Sequence, residues 1–200
     1  LNKLSHRGPD GSGIFIKKSA ILGHRRLSII DIASGQQPMV TEDGKIGITY
    51  NGEVYNYSEV KNELIDLGHK FKTDCDTEVV LKAFAQYGIK CLQKLRGMFA
   101  FVIVNFETKE FFGVRDRFGI KPLYYSKQDD FYIFSSEIRP MLYSGLMSLE
   151  VNSKKLEEYL VFGFVAGQET LHENVKEIEA GHYLYVSEHK YEYKRYWHPG

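Results

Sequence analysis

The sequence predicts an α+β fold in which helices cover sheets built from hairpins. Candidate strands outnumber helices and follow one another with only a few turn residues between them, which favours antiparallel pairing. At least two segments have apolar stripes at helical spacing, and such helices need a sheet face to cover. With 43% hydrophobic residues among 200, the chain is long enough to bury one substantial core. A doubly wound parallel sheet is the less favoured alternative.

Four short strands are predicted in the first quarter of the chain. Alternating or β-branched runs place them at residues 13–16, 20–24, 27–32 and 45–50. Directly after the fourth run, Asn51 and Gly52 predict a tight turn, because both residues tolerate positive φ.

Two amphipathic helices are predicted next. The first has Ser58 as its cap, an apolar stripe of Val60, Leu64 and Leu67, and an end at Gly68. The second begins near residue 76 and breaks at residue 88. Its apolar positions, at 79, 80, 83, 84 and 87, form one face that we expect to be buried.

The nearly all-apolar run at 98–106 predicts a central strand covered on both faces. The segments 110–116, 122–127 and 131–137 follow as an antiparallel meander. Helical patterns return at 137–143 and 153–162, and the alternation over 181–197 predicts a closing hairpin. We therefore expect a core over residues 1–151. Residues 152–200 are either the end of the same domain or an extension towards another one.

Composition excludes several classes of function. Lysine plus arginine equals aspartate plus glutamate at 26 each, so no net field attracts nucleic acid or an anionic membrane. No apolar run has the length of a transmembrane helix. Cys75 and Cys91 are too few for a disulfide framework, and neither they nor the seven histidines have the spacing of a metal site. We expect a cytoplasmic protein without a metal in this domain.

Four polar clusters stand out, at residues 6–13 (HRGPDGSG), 23–31 (GHRRLSIID), 50–56 (YNGEVYN) and 73–78 (TDCDTE). In the first cluster, Arg7 either binds a ligand or pairs with Asp10 inside a turn. In the second, Arg26 can present its planar guanidinium to a carboxylate or pair with Asp31.

The third and fourth clusters offer hydrogen-bond donors and an anion. The Asn51 amide and the Gly52 N–H suit an oxyanion that develops during acyl transfer, and a simple hairpin turn is the alternative. Asp76 can bind an ammonium group or cap the following helix. A cation, an anion and an oxyanion donor pair together complement a free α-amino acid with a side-chain carbonyl.

Seven segments carry a family resemblance: HRGPD, HRRLSIID, YNGEVYN, CDTE, RGMFAFVI, RDRFGIKPLYY and FSSEI, in this order. They resemble the glutamine-hydrolysing domain of asparagine synthetases, which are class II glutamine amidotransferases. The resemblance implies the N-terminal-nucleophile hydrolase fold, an αββα sandwich of two mainly antiparallel sheets between helices.

The resemblance also implies roles for site residues. Arg26, with the backbone near Ile30, would bind the glutamine α-carboxylate, and Asp76 would bind its α-ammonium group. Asn51 and Gly52 would stabilise the tetrahedral intermediate.

Three further residues receive supporting roles from the same resemblance. Glu53 would help to hold the substrate or order its loop, while Arg7 and Asn56 would brace the pocket.

The family's nucleophile is an N-terminal cysteine whose own α-amine is its base. Residue 1 is Leu1, so we expect this cysteine to precede it in the full protein. Cys75 lies inside the chain without an activating neighbour in the sequence, and Cys91 has the apolar neighbours of a core residue.

The expected reaction is hydrolysis of glutamine to glutamate and ammonia through a thioester. The ammonia would pass to a synthetase domain outside residues 1–200, which would use ATP and Mg to make an amide, either asparagine from aspartate or the amide of another carboxylate. The residues themselves imply no cofactor in this domain. A catalytically dead glutamine-binding regulatory module is the alternative, and a structural interaction domain without a ligand is a third. The sequence leaves open whether the protein forms a homodimer.

Overall fold

The computed structural model describes residues 1–26, 35–148 and 150–200. In this part of the chain, eleven strands form three sheets, and every pairing between strands is antiparallel. The strands are β1 (Gly11–Lys17), β2 (Ala20–Arg26), β3 (Met39–Val40), β4 (Ile46–Val54), β5 (Gly97–Asn105), β6 (Glu110–Arg115), β7 (Tyr124–Lys127), β8 (Tyr132–Ser135), β9 (Lys176–Glu177), β10 (His182–Val186) and β11 (Tyr191–Arg195).

A six-stranded sheet in the order β11-β10-β6-β5-β4-β3 forms the centre of the fold. β5 lies between β4 and β6, and its residues from Phe99 to Val104 are all buried. A strand that is buried on both faces has no polar face to show, which explains its unbroken apolar sequence. The predicted central strand is confirmed.

Two helices cover one face of this sheet. They are α1 (Tyr57–Asp66) and α2 (Asp76–Tyr87), and their apolar residues pack on Ile48, Tyr50 and Val54 of β4. Both predicted helices exist, and α2 ends at Gly88 as expected.

Two details of the first predicted helix are wrong. Asn56 occupies the N-cap position of α1, two residues before the predicted cap Ser58. Leu67 is 54% exposed, because it lies beyond the last helical residue and its side chain leaves the apolar stripe.

The opposite face of the six-stranded sheet is covered by two smaller sheets, the β1-β2 pair and the three-stranded sheet β8-β7-β9. Leu22 and Leu123 from this second layer pack with Val102 and Leu184 of the first in a second core cluster. The short helix α3 (Ile138–Leu142) packs against β8, and α4 (Ser153–Phe162) contains no buried residue. The layers confirm the predicted α+β sandwich.

The predicted turn at Asn51-Gly52 is wrong, because β4 continues through both residues to Val54. The glycine is needed for a close approach between strands. A Cβ atom at Gly52 would lie 2.2 Å from the Met98 carbonyl oxygen, and one at Gly97 would lie 2.1 Å from that of Glu53. At this end of the β4–β5 ladder, each strand therefore has a glycine, Gly52 or Gly97, at the position where the backbone of the other strand comes closest.

The predicted meander after β5 is confirmed for the antiparallel pair β7 and β8 but is wrong for β6 and β7, which belong to different sheets. The buried carboxylate of Asp116 redirects the chain between them by accepting hydrogen bonds from the backbone N–H groups of Phe118, Ile120 and Lys121 at 2.9 to 3.0 Å. The chain therefore leaves the central sheet before β7 begins.

The predicted closing hairpin is confirmed as β10 and β11, and β10 pairs with β6. Residues 182–195 therefore extend the central sheet, while the domain boundary near residue 151 stays a prediction. The predicted strand at 27–32 lies outside the described residues.

The close approach of β4 and β5 gives a stability prediction. We expect Gly97→Ala to lower the free energy of unfolding by about 2 kcal/mol or more, because the new methyl group meets backbone atoms that cannot rotate away. Gly11→Ala is the control, since a Cβ there meets nothing nearer than the Arg26 Cβ at 3.8 Å. Urea denaturation of both variants measures the difference. Equal stability of Gly97→Ala and the unchanged protein would contradict this account of the ladder.

Candidate functional site

A cavity of about 480 Å³ opens between the central sheet and the second layer. Side chains from the end of β2, from β4 and from the start of α2 line it, together with the loop before β1. Among the predicted site residues, its lining includes Arg7, Arg26, Asn51, Gly52, Glu53 and Asp76. The fold therefore brings predicted site residues that are as far apart in the sequence as Arg7 and Asp76, 69 positions, into the lining of one cavity.

The backbone of β4 exposes an edge towards this site. The N–H and C=O of Phe99 both bond to Asp116, at 3.2 and 2.7 Å, so Phe99 and the opposite Gly52 form a non-hydrogen-bonded pair. The Gly52 N–H consequently points away from β5. The N–H groups of Tyr50 and Val54 share this direction, and they bond to side chains, Gln37 and Asp76, outside the β4–β5 ladder.

Asn51 projects from the face of β4 that β2 covers. Thr49, two residues earlier, donates from its hydroxyl to the Gly23 carbonyl of β2 at 3.2 Å, and strand alternation puts Asn51 on the same face. The side-chain amide of Asn51 and the backbone N–H of Gly52 thus belong to adjacent residues of β4. The opposite edge of this strand pairs with β5.

Asp76 begins α2 without capping it. The N-cap is Cys75 and has no side-chain capping bond, so the predicted alternative of an Asp76 cap is wrong. The carboxylate instead reaches β4, where its Oδ2 accepts from the Tyr50 hydroxyl at 2.6 Å and from the Val54 N–H at 3.0 Å. Its position in the first helical turn also favours the negative charge.

The loop before α2 is held by Glu78. This buried carboxylate accepts from the N–H groups of Lys72 and Thr73 and from the Thr73 hydroxyl, at 2.7 to 3.1 Å. The Thr73 hydroxyl is also 3.0 Å from Cys75 Sγ. The TDCDTE cluster is therefore a folded turn that fixes where Asp76 enters the helix.

Basic groups line the cavity together with Asp76. Arg26 is the last residue of β2, and its carbonyl accepts from the Asp10 N–H at 3.0 Å. Arg7 pairs with Glu137 at 3.3 Å, where the sequence left a pairing with Asp10 open. This ion pair joins the HRGPD loop to the FSSEI segment, which begins at the end of β8. Asp31, the alternative partner of Arg26, lies outside the described residues.

His24 lies beside these arginines. Burial, and then the charge of Arg26, lowers the pKa of His24 from 6.5 to about 4. The imidazole is therefore neutral near pH 7 and adds no charge to a wall that already includes Arg25 and Arg26.

Asn56, another predicted site residue, is not among the described residues that line this cavity. Asn56 bonds to the Lys94 carbonyl at 2.9 Å and to the Arg96 N–H at 2.8 Å, and so ties the start of α1 to the chain before β5. Ile30 lies outside the described residues.

Several residues that line the cavity were not predicted as site residues, among them His24, Gln37, Tyr50 and Thr77. Tyr50 begins the YNGEVYN motif and could have been singled out as a polar neighbour of Asn51. Gln37 has no such signal, because it reaches Tyr50 and Thr77 only through the tertiary fold.

The described residues contain neither a metal-binding cluster nor a membrane-spanning helix. Outside the gaps at 27–34 and 149, no group of three or more His, Cys, Asp or Glu side chains could hold a metal ion. Over the same ranges, every helix is too short or too polar to cross a membrane.

Comparison with known proteins identifies the family. The family model for the glutamine amidotransferase domain matches residues 1–197. The chain belongs to this family. The domain is similar to asparagine synthetase [glutamine-hydrolyzing] 1 of Bacillus subtilis, with 45% identity over 176 residues, which are 88% of this chain and 28% of that protein. It is 36% identical over 220 residues to a putative asparagine synthetase 2 of Methanocaldococcus jannaschii, covering 99% of this chain and 42% of that protein.

This amidotransferase domain therefore spans less than half the length of either relative. Among solved structures, glutamine phosphoribosylpyrophosphate amidotransferase of B. subtilis matches 98% of this chain and 45% of its own, with a TM-score of 0.64 and 22% identity. At that identity the likeness concerns the fold, which is that of the N-terminal-nucleophile hydrolases. The fold implied by the sequence motifs is confirmed.

The low pKa of His24 predicts a pH dependence of stability. Between about pH 6.5 and 4 the unfolded chain binds a proton at His24 that the folded chain does not, so the free energy of unfolding falls as the pH falls through this window. We expect His24→Gln to remove about 2 kcal/mol of this loss.

Urea denaturation at pH 7.5 and pH 4.5 measures the effect, with exposed His189→Gln as the control. If the unchanged protein and His24→Gln lose the same stability between these two pH values, His24 is not buried in its neutral form.

Proposed function

We propose that this domain hydrolyses glutamine to glutamate and ammonia, and that the ammonia feeds ATP-dependent amide synthesis, asparagine from aspartate, in a synthetase domain of the same protein. One observation carries the proposal: a single cavity is lined by a cation at the end of β2, an anion at the start of α2 and the Asn51-Gly52 edge of β4. The curated relatives, which are longer proteins named as glutamine-hydrolysing asparagine synthetases, support the second half.

In this proposal, Arg26 binds the α-carboxylate of glutamine and Asp76 binds its α-ammonium group. Arg26 suits its role because a guanidinium can donate two parallel hydrogen bonds to a carboxylate. Asp76 suits the binding of an ammonium group because its carboxylate is held by two hydrogen-bond donors and lies in the first turn of α2. Glu53, from the same strand as Asn51, adds a second carboxylate that can hold the substrate, and the backbone near Ile30 remains a predicted contact.

The proposed reaction proceeds through two acyl transfers. A cysteine thiolate attacks the side-chain amide carbon, ammonia leaves, and water then hydrolyses the thioester to release glutamate. In both steps the carbonyl oxygen becomes an oxyanion, and the amide of Asn51 and the N–H of Gly52 stabilise it. Arg7 and Asn56 have supporting roles in this proposal. Arg7, in the cavity lining, connects the HRGPD loop to Glu137, and Asn56 anchors the start of α1.

The nucleophile that the family uses is an N-terminal cysteine, and residues 1–200 begin with Leu1. Cys75 lines the cavity and Cys91 is fully buried, where burial raises the pKa of its thiol to about 12. A thiol with that pKa is protonated at neutral pH and cannot serve as a nucleophile. Activity is measured on the full-length protein.

The remaining parts of the proposal concern context. Both cysteines are free thiols, which supports a reducing cytoplasm. ATP and Mg would act in the synthetase domain, and a homodimer stays a prediction. Glutamine binding without turnover in the full-length protein would instead identify a regulatory binding module.

The amino-acid head group gives the first test. We expect Arg26→Ala and Asp76→Ala each to weaken glutamine binding by about tenfold or more, because hydrogen bonds to charged groups contribute about 1.5–3 kcal/mol. Titration calorimetry on the full-length variants measures the dissociation constants. Asp43→Ala is the control, because Asp43 is exposed in the turn between β3 and β4. Unchanged affinity in both site variants would remove these two roles.

The oxyanion gives the second test. We expect Asn51→Ala to lower kcat by about 10²–10³ while the dissociation constant for glutamine changes far less, since the charge appears only during the reaction. Asn51 lies in a strand, so alanine introduces no strain there, and the melting temperature should stay close to that of the unchanged protein.

Asn51→Asp keeps the size of the side chain but replaces the donor with a negative charge, and we expect a larger loss of kcat. A near-normal kcat in a well-folded Asn51→Ala variant would show that this amide does not stabilise the transition state.

A further inference from the structure

We propose that Tyr50 is a positioning residue whose hydroxyl orients the Asp76 carboxylate and thereby selects substrates with a free α-ammonium group. The inference deepens the glutamine site proposed above and rests on it. Tyr50 lies directly before Asn51 in β4, but strand alternation puts its side chain on the opposite face, among the residues that pack under α1 and α2.

The contact between the two side chains is short and directional. The Tyr50 hydroxyl donates to Asp76 Oδ2 at 2.6 Å, within the range of a hydrogen bond from a hydroxyl to an ionised carboxylate. The Val54 N–H donates to the same oxygen at 3.0 Å. Within the described residues Oδ1 has no hydrogen-bond partner, so two donors fix the rotation of the carboxylate and leave one oxygen for a ligand.

The Tyr50 ring is itself fixed. It is only 3% exposed, and it stacks on Phe101 with 6.4 Å between ring centroids. Its backbone N–H donates to Gln37 Oε1 at 2.7 Å, and the Gln37 amide donates in turn to the Thr77 hydroxyl at 3.3 Å. Burial, and then the charge of Asp76, raises the pKa of Tyr50, so the hydroxyl keeps its proton and remains a donor.

These bonds give Asp76 a second connection to the site. Tyr50 and Val54 flank residues 51–53, so one carboxylate is bonded to both ends of the segment that includes the proposed oxyanion donors. The distance between the ammonium-binding oxygen and those donors is consequently set by the fold. The site therefore selects a substrate by the distance between its α-nitrogen and its side-chain carbonyl. This distance distinguishes glutamine from simpler amides, which have no α-nitrogen.

A purely structural role for Tyr50 makes a different prediction. If the hydroxyl only satisfies a buried polar group, its loss should lower stability and affect all amide substrates equally. The two roles therefore differ in substrate preference. Glutamine and 4-carbamoylbutanoate are a suitable pair, because they differ only in the α-ammonium group.

The test measures kcat and KM of full-length Tyr50→Phe for both substrates. We expect kcat/KM for glutamine to fall about tenfold, mainly through a higher KM, while the value for 4-carbamoylbutanoate changes by less than about twofold. The preference for glutamine therefore falls about tenfold. Tyr87→Phe is the matched control, because it removes a 2.7 Å bond from a tyrosine to Glu63 at the far end of α2. We expect its preference to equal that of the unchanged protein.

A double-mutant cycle gives a second criterion. Asp76→Asn should reduce the preference by itself, and adding Tyr50→Phe to it should have little further effect if the hydroxyl acts through the carboxylate. An unchanged preference in Tyr50→Phe, a parallel loss for both substrates, or additive effects in the cycle would each overturn the inference.

Failure of the proposed function is distinguishable from these results. If the unchanged full-length protein hydrolyses neither substrate, glutamine hydrolysis is wrong. The same preference measured as a ratio of calorimetric dissociation constants then decides whether Tyr50 selects the α-ammonium group.

Discussion

The two hydrogen bonds between Asp116 and the backbone of Phe99 are the constraint on which the site depends. They occupy the N–H and C=O of the residue opposite Gly52, so the N–H of Gly52 must point out of the β4–β5 ladder. Asp116 is fully buried. Its carboxylate also accepts hydrogen bonds from three further backbone N–H groups, and these belong to the turn that leads the chain to the second layer. One residue, through its carboxylate and its backbone N–H, therefore sets both the free edge of β4 and the path of the chain to β7.

The close approach of β4 and β5 completes this geometry. A non-hydrogen-bonded pair brings its two Cα atoms nearer than a hydrogen-bonded pair does, and the absence of a Cβ at Gly52 and Gly97 allows this contact. The edge N–H groups of Tyr50, Gly52 and Val54 then lie in a row. Side chains of Gln37 and Asp76 hold the outer two, and the middle one borders the cavity. The helix α2 is thus attached to the strand on which the proposed chemistry takes place.

Sequence reasoning predicted what depends on local pattern. The central strand, both amphipathic helices and the closing hairpin follow from apolar periodicity, and six of the eight candidate site residues line one cavity. It failed where tertiary contacts decide. Asn51-Gly52 has the composition of a turn, but its glycine serves a close approach by Met98 and Phe99, some 46 residues away in the sequence. Likewise Asp76 has the position of a helix cap, yet its partners are in β4.

The motif RDRFGIKPLYY illustrates the difference between a segment that identifies a family and one that performs chemistry. Arg115 donates to the carbonyls of Lys121, Gly119 and Ile178 and pairs with Glu177, while Asp116 binds the N–H groups described above. The two charged residues that begin the motif, Arg115 and Asp116, therefore stabilise the loop between the sheets. The motif's role in this chain is to hold the connection between the two layers of the sandwich. In the proposed function, recognition of the ammonia acceptor therefore falls to residues outside this loop, because the loop's leading charged groups are bonded within the fold.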